Sequence, residues 1–196
     1  MPNTPRKAPG RKPNAPARTP SEPTASAPGA SSGARTREQF ERLYARPGFL
    51  MRRAHQIASG VFEEEAHSCE LTPAQFGTLS VIHMLPGLDQ STLARALGYD
   101  KVTTLRVLRG LEARGLLARS QASDNRRNMI LHLSDEGRAL LAQGRKAADR
   151  DARRVLDPLS VQEQAQLISL LQKLTGTLEP QARAPWVRPL RNPRND

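Results

Sequence analysis

The residues in this chain best placed to do chemistry lie between Ser91 and Leu133, and their chemistry is recognition rather than catalysis. Lys101, Val102, Thr103, Arg106 and Arg109 fall on the outer side of one short helical run. Arginine can pair with guanine through two parallel hydrogen bonds, lysine can neutralise phosphate, and valine or threonine methyls can meet the thymine methyl. Further on, SDNRRN places Asp124, Arg126 and Arg127 at a polar tip between two apolar runs. An arginine on such a tip is drawn to the negative potential of a narrow minor groove. Asp124 is suited to orienting Arg126 through a charge-assisted pair. Nothing in the chain resembles catalytic machinery. It has no glycine-rich phosphate loop, no H-E-x-x-H run, no Cys/His metal spacing and no nucleophile with a base, and its four histidines (55, 67, 83 and 132) are scattered. No enzyme activity, cofactor or metal is expected.

The elements that must hold these residues can be read around them. STLARALG (residues 91–98) has the pattern of a short helix opened by Asp89 or Gln90, with Leu93, Ala94 and Leu97 inward and Gly98 as its turn. Ser91 and Thr92 stand at its start and join the candidate DNA contacts. Asp100 is placed to cap a second helix that buries Thr104, Val107, Leu108 and Leu111 and stops at Gly115. Residues 116–120 and 129–133 then read as two strands, the second alternating Met129, Leu131 and Leu133 against Ile130 and His132. Helix, turn, helix and basic hairpin in that order describe a winged helix-turn-helix.

Charge agrees with that reading. The formal net charge is +11, which points to a polyanionic partner. Within residues 91–133, Arg95, Lys101, Arg106, Arg109, Arg114, Arg119, Arg126 and Arg127 face only Asp100, Glu112 and Asp124. Residues 1–35 are also basic, rich in proline and alanine, and without an aliphatic pattern, so a disordered basic tail is expected there. Residues 179–196 read as a second basic tail, with Trp186 its one apolar anchor. The single Cys69, the lack of a transmembrane-length apolar run and the lack of a signal-peptide pattern lead to the expectation of a cytoplasmic protein with no membrane partner.

The flanking segments supply support. Residues 36–68 are helical in pattern, interrupted at Pro47–Gly48, and Leu50, Ala54, Ile57, Ala58, Val61 and Phe62 make one apolar stripe. Thr72-Pro73 opens a helix with Phe76, Leu79, Ile82 and His83 on its inner side. Ser134 starts a long helix, and S-V-Q-E at 160–163 has the capping-box form ahead of a strongly apolar final helix. The first and last helices have stripes too broad for one subunit to cover, so a homodimer is expected. The predicted fold is mostly α with a small β-wing. Dimerisation would use residues 36–70 and 156–178, and the winged helix-turn-helix would span 72–134.

STLARALGYDKVTTLRVLRGLEARGLLARS, the wing SDNRRNMILHLSDEG and the closing LSVQEQAQLISLL together resemble the MarR (multiple antibiotic resistance regulator) family of bacterial transcription factors. The resemblance spans about residues 36–177. It implies an obligate homodimer that binds a pseudo-palindromic DNA operator, usually represses, and lets go when a ligand or oxidant changes the spacing of its two heads. It assigns the wing arginine to Arg126 with Asp124 in support, and the recognition contacts to Lys101, Val102, Thr103 and Arg106. Leu105 stands where many members carry a small or hydroxylated residue.

RPGFLMRRAHQI (46–57) is similar to the branch of the family that answers to aromatic acids. That likeness implies a small aromatic carboxylate, phenolic or hydroxylated heteroaromatic, held by Arg52, Arg53, His55 and Ser59 together with Phe76, Leu79 and His83. Arginine would pair the carboxylate, histidine would take a ring hydroxyl or nitrogen, and phenylalanine would stack. The other trigger to weigh is oxidation of Cys69, but Glu63–Glu65 and Glu70 nearby do not provide the electropositive surroundings a reactive thiolate needs.

Overall fold

Capping residues decide where most of the helices begin. A computed structural model of the chain describes residues 30–121 and 129–188. Its described residues fall in two units, residues 1–46 and 47–196. In the first, α1 (Ala30–Tyr44) starts inside the proline- and alanine-rich segment, earlier than the apolar pattern suggests. Phe40 and Tyr44 stack one turn apart with ring centroids 5.8 Å from each other, and Arg42 pairs with Glu38. Residues 1–29, on which most of the expected disordered tail falls, lie outside the described residues.

In the second unit, α2 (Pro47–Glu65) is opened by the proline expected to interrupt a helix. Proline at a first helical position loses no hydrogen bond, so the break falls just before Pro47. A 3-10 turn (His67–Cys69) comes next, and Glu70 sits in the left-handed region at φ 50°. Arg114 clamps that turn by donating to the Glu70 and Cys69 carbonyls at 2.7 and 3.0 Å. At the start of α3 (Pro73–Met84), Thr72 and Gln75 form a reciprocal capping box. Asp89 caps α4 (Gln90–Leu97) through the Thr92 amide, and Asp100 caps α5 (Lys101–Ala113) through the Thr103 amide, both at 2.7 Å.

Gly98, at φ 64°, ends α4 with its own amide on the Arg95 carbonyl and the Tyr99 amide on the Ala94 carbonyl. That pair of bonds needs a left-handed residue, which glycine adopts without a steric penalty. Strands β1 (Leu117–Gln121) and β2 (Met129–Leu133) pair antiparallel, with Leu117 opposite Leu133 and Arg119 opposite Leu131. The first strand is shifted one residue from its predicted bounds, because the Leu116 amide still closes the end of α5 on the Leu111 carbonyl. The Leu131 amide also bonds the Leu88 carbonyl, so the stretch before α4 lies along the sheet as a short third line of backbone.

Two further α-helices follow among the described residues, α6 (Asp135–Leu156, capped by Ser134) and α7 (Val161–Leu178, with the predicted Ser160–Glu163 box). Leu79, Leu93, Leu108, Leu111, Leu131 and Leu141 are almost fully enclosed, and they come from α3, α4, α5, β2 and α6. The core therefore sits behind the reading helix and the wing root and fixes their mutual placement. α6 lies along α2, and Arg150 and Arg154 reach Glu65 and Glu64 across that seam. Among the described residues no helix is long and apolar enough to cross a membrane.

Candidate nucleic-acid interface

α5 buries the four residues its pattern predicts, Thr104, Val107, Leu108 and Leu111. The Thr104 hydroxyl is satisfied by the Asp100 carbonyl at 2.7 Å, which lets a polar side chain line the core. Turning that row inward leaves Lys101, Val102, Arg106 and Arg109 exposed, with Thr103 half-buried. Val102 is 77% exposed, an uncommon setting for a valine at the first turn of a helix held this firmly. The Asp100 carboxyl is held below its usual range, chiefly by the Thr103 amide and with help from the Arg106 charge. It stays an anion on the helix N-terminus, where the backbone dipole favours one. Leu105 is half-buried rather than outward, which accounts for its departure from the small residue expected at a reading position.

On α4, Ser91 is exposed and Thr92 half-buried, with the Thr92 hydroxyl 3.5 Å from Arg95. Arg95 is exposed on the same helix, within reach of these contacts, and belongs among the candidate cations. Its spacing from Ser91 and Thr92 is the signal for it in the sequence. Two of the head's other arginines are spent on structure. Arg119 forms an ion pair with Glu112 and donates to Gln90 at 3.1 Å, tying β1 to α5 and α4. Arg114 holds the turn before α3. Asp124, Arg126 and Arg127 of the wing tip lie outside the described residues.

Comparison with known proteins meets this geometry from another side. A profile of the MarR family matches residues 71–129, the stretch running from the start of α3 to the wing. A transcriptional regulatory protein for the hcr operon of Thauera aromatica is 35% identical over 128 residues, which are 65% of this chain and 77% of that protein. The chain belongs to the MarR family. Among solved structures, the transcriptional repressor CouR bound to a 23-mer DNA duplex is 33% identical, with a TM-score of 0.63 over 68% of this chain and 94% of that one. Bordetella bronchiseptica BpsR, in a structure describing regulation of its DNA binding by 6-hydroxynicotinic acid, is 28% identical, with a TM-score of 0.64 over 67% and 94%.

This MarR protein is a DNA-binding transcriptional regulator. MarR proteins are dimers, and the described residues have faces to match. α7 buries none of its residues and exposes Leu167, Ile168, Leu170, Leu171, Leu174 and Leu178. Phe40, Leu43 and Tyr44 of α1 and Leu50, Met51 and Ile57 of α2 are exposed as well.

The residues with effector chemistry are distributed over three places. Arg52, Arg53 and His55 are exposed on α2, and Ser59 is half-buried below them. Arg52 lies over the Phe49 ring at 5.1 Å and donates to Gln56 at 3.0 Å. Phe76 packs on Phe62 with ring centroids 5.5 Å apart and presses against Gly144 of α6. Leu79 is completely enclosed in the core. His83 is exposed rather than inward, and it lines a cleft of about 260 Å³ with Ile82, Pro86, Leu131, His132, Leu133 and Arg138. From Pro73 to Ile82 every residue of α3 is buried or half-buried, so a one-sided reading of that helix fails.

Cys69 is buried, its thiol 3.9 Å from the Ser68 hydroxyl. An enclosed thiol lacks the access that oxidation requires, and the redox reading finds no support.

Proposed function

We propose that this regulator is a repressor that sits on a pseudo-palindromic operator and leaves it when a small aromatic carboxylate, phenolic or hydroxylated heteroaromatic, binds. The observation that carries the DNA half is the outward face of α5, with Lys101, Val102 and Arg106 exposed on a helix whose opposite row is locked into the core. Lys101, Val102, Thr103 and Arg106 read the major groove. Ser91, Thr92 and Arg109 meet phosphates, and Arg126, steadied by Asp124 and flanked by Arg127, enters the minor groove. Two heads in a symmetric dimer would address half-sites about 34 Å apart, one turn of DNA.

The effector half draws support from BpsR, whose DNA binding answers to 6-hydroxynicotinic acid, and from the chemistry of α2. Arg52 and Arg53 offer the charge for a carboxylate, His55 and Ser59 the donors for a ring substituent, and Phe76 an aromatic wall. Leu79 backs that wall from within the core, and His83 offers a further donor from the cleft it lines with Arg138. These residues close on a ligand once a second subunit covers the open face of α2. Residues 36–70 and 156–178 would form the dimer, 72–134 the head, and 1–35 and 179–196 the tails.

Fluorescence anisotropy on a duplex from the regulator's own promoter tests both halves. The expected result is tight binding to that duplex, weak binding to a scrambled one at the same salt, and release by at least one hydroxylated aromatic acid. A specific footprint that no aromatic carboxylate weakens would sink the effector claim.

A further inference from the structure

The chain after α7 comes back to the head. A second 3-10 turn (Glu179–Gln181) follows the helix, and Trp186, eight residues beyond Leu178, reaches α4. α4 closes its own last turn on the Ala94 and Arg95 carbonyls, which accept the Gly98 and Tyr99 amides. The next carbonyl, that of Ala96, accepts the indole N–H of Trp186 at 3.0 Å, and Arg95 accepts the Val187 amide as well at 2.9 Å. Helix ends leave such carbonyls over, and here a segment from beyond α7 meets them. The Glu179 carboxylate accepts the Trp186 amide at 2.6 Å, which braces the segment to the end of α7 itself. Gly98, in the turn between the two helices of the motif, has the Trp186 side chain 3.5 Å from where its own Cβ would stand. Pro180 and Pro185 restrict the backbone between the two moorings.

These bonds close a ring. Along the chain the head is joined to α7 through α6, and residues 179–187 join α7 back to α4. A head attached at one point can pivot on α6, whereas a head attached at two keeps its angle. In a dimer that addresses paired half-sites, that angle sets the distance between the two reading helices. Resting on α5 as the DNA-facing helix and α7 as a dimer element, we infer that Trp186 is a positioning residue. Residues 179–187 form a strap that fixes the helix-turn-helix against the dimer helix and so sets the half-site spacing the protein accepts. Trp186 touches no DNA in this role and acts through α4.

The test uses the full-length dimer with Trp186→Ala, and with Trp186→Phe, which keeps a ring on the Gly98 turn and lacks the donor. Each is compared with the wild type on the operator duplex and on duplexes whose half-sites stand one base pair closer or further apart, a change of about 3.4 Å. The wild type should prefer the native spacing. Both variants should bind the native operator about five-fold more weakly or worse. They should lose less on the altered spacings, so that the preference shrinks. The slope of log K against log salt should stay as it was, since no phosphate contact is lost. Unchanged binding would overturn the proposal, and so would an equal loss at every spacing, which would make Trp186 a stabilising contact only. A slope shallower by about 0.9 would put the segment on a phosphate and overturn it too. Arg106→Ala runs alongside. If it binds the operator as the wild type does, the reading of α5 fails; if it binds weakly while the Trp186 variants do not, the strap alone fails. Should Trp186→Ala fail to fold, Trp186→Phe decides by itself.

Discussion

A methyl group on Gly137 would lie 2.0 Å from the carbonyl oxygen of Leu116. The same oxygen accepts the Ser134 amide at 3.2 Å, so the first turn of α6 is pressed against the residue that leads into β1. Neither backbone can yield without disturbing the root of the wing. Gly137→Ala should therefore destabilise the protein by about 2 kcal/mol or more, through overpacking. Chemical denaturation measures this, and a loss within about 0.5 kcal/mol, the range of a neutral surface change, contradicts it.

Asp100 ties the stability of the reading helix to pH. Its carboxyl is held low in the folded chain by the Thr103 amide, so the unfolded chain binds the proton more readily. The contribution is complete above the unfolded value and is lost as pH falls through the folded one. Asp100→Ala should lower Tm near neutral pH by about 2–4 °C, as loss of a helix cap does in a domain of this size. The difference from wild type should close in strong acid. A deficit that stays constant down to about pH 2, below the ordinary carboxylate range, would mean the cap is not the cause.

The seam between α2 and α6 behaves similarly but answers to salt. Glu65 is held below its usual range first by its hydrogen bond to Arg150 and then by Arg154. Its contribution is present above the unfolded value and disappears as pH falls through the folded one. Both arginines are about half exposed, so ions screen the pair. Glu65→Gln should give a small Tm deficit, largest at neutral pH and low salt and absent at about 1 M salt. Melting curves across a salt series check it, and a deficit indifferent to salt contradicts it.

Leu171 and Leu174 stand on the open face of α7. Replacing both by glutamate should convert the dimer to monomer by light scattering while leaving the head folded. Operator affinity should drop by at least about ten-fold, since two linked heads bind far better than one. A double variant that remains dimeric would move the interface off α7.

Arg106 and Arg109 should separate into reader and positioner. Arg106→Ala is expected to cost about 1–3 kcal/mol on the operator and to relax preference at a single base pair. Arg109→Ala should weaken all duplexes alike and make the salt slope shallower by about 1. Binding to a panel of single-base operator variants distinguishes them, and a uniform loss for Arg106→Ala would reassign it to phosphate.

Local chemistry was the legible part of this chain. Thr72, Asp89, Asp100, Ser134 and Ser160 all cap the helices they precede, because a cap needs only its own next few residues. The buried row of α5 was equally plain, since that helix has one inner face. Partnerships across the fold were not. In the sequence Arg114 and Arg119 only add to the head's positive charge, and nothing local foretells their bonds to the Glu70 and Cys69 carbonyls, Glu112 and Gln90. The side on which His83 emerges depends on α3 being wrapped by several elements at once. Trp186 could be marked as an anchor, but its mooring on α4 lies ninety residues back along the chain.

The backbone bond from Leu131 to Leu88 bears on how such heads can be exchanged. It stitches the second wing strand to the residue just ahead of the Asp89 cap, and Asp89 itself bridges to Ile130. Reading helix and wing are thus parts of one casting. A chimaera that imports a foreign wing at β1–β2 while keeping residues 88–89 would inherit a mismatched seam. A reader transplanted from this protein has to keep Leu88, Asp89 and β2 together.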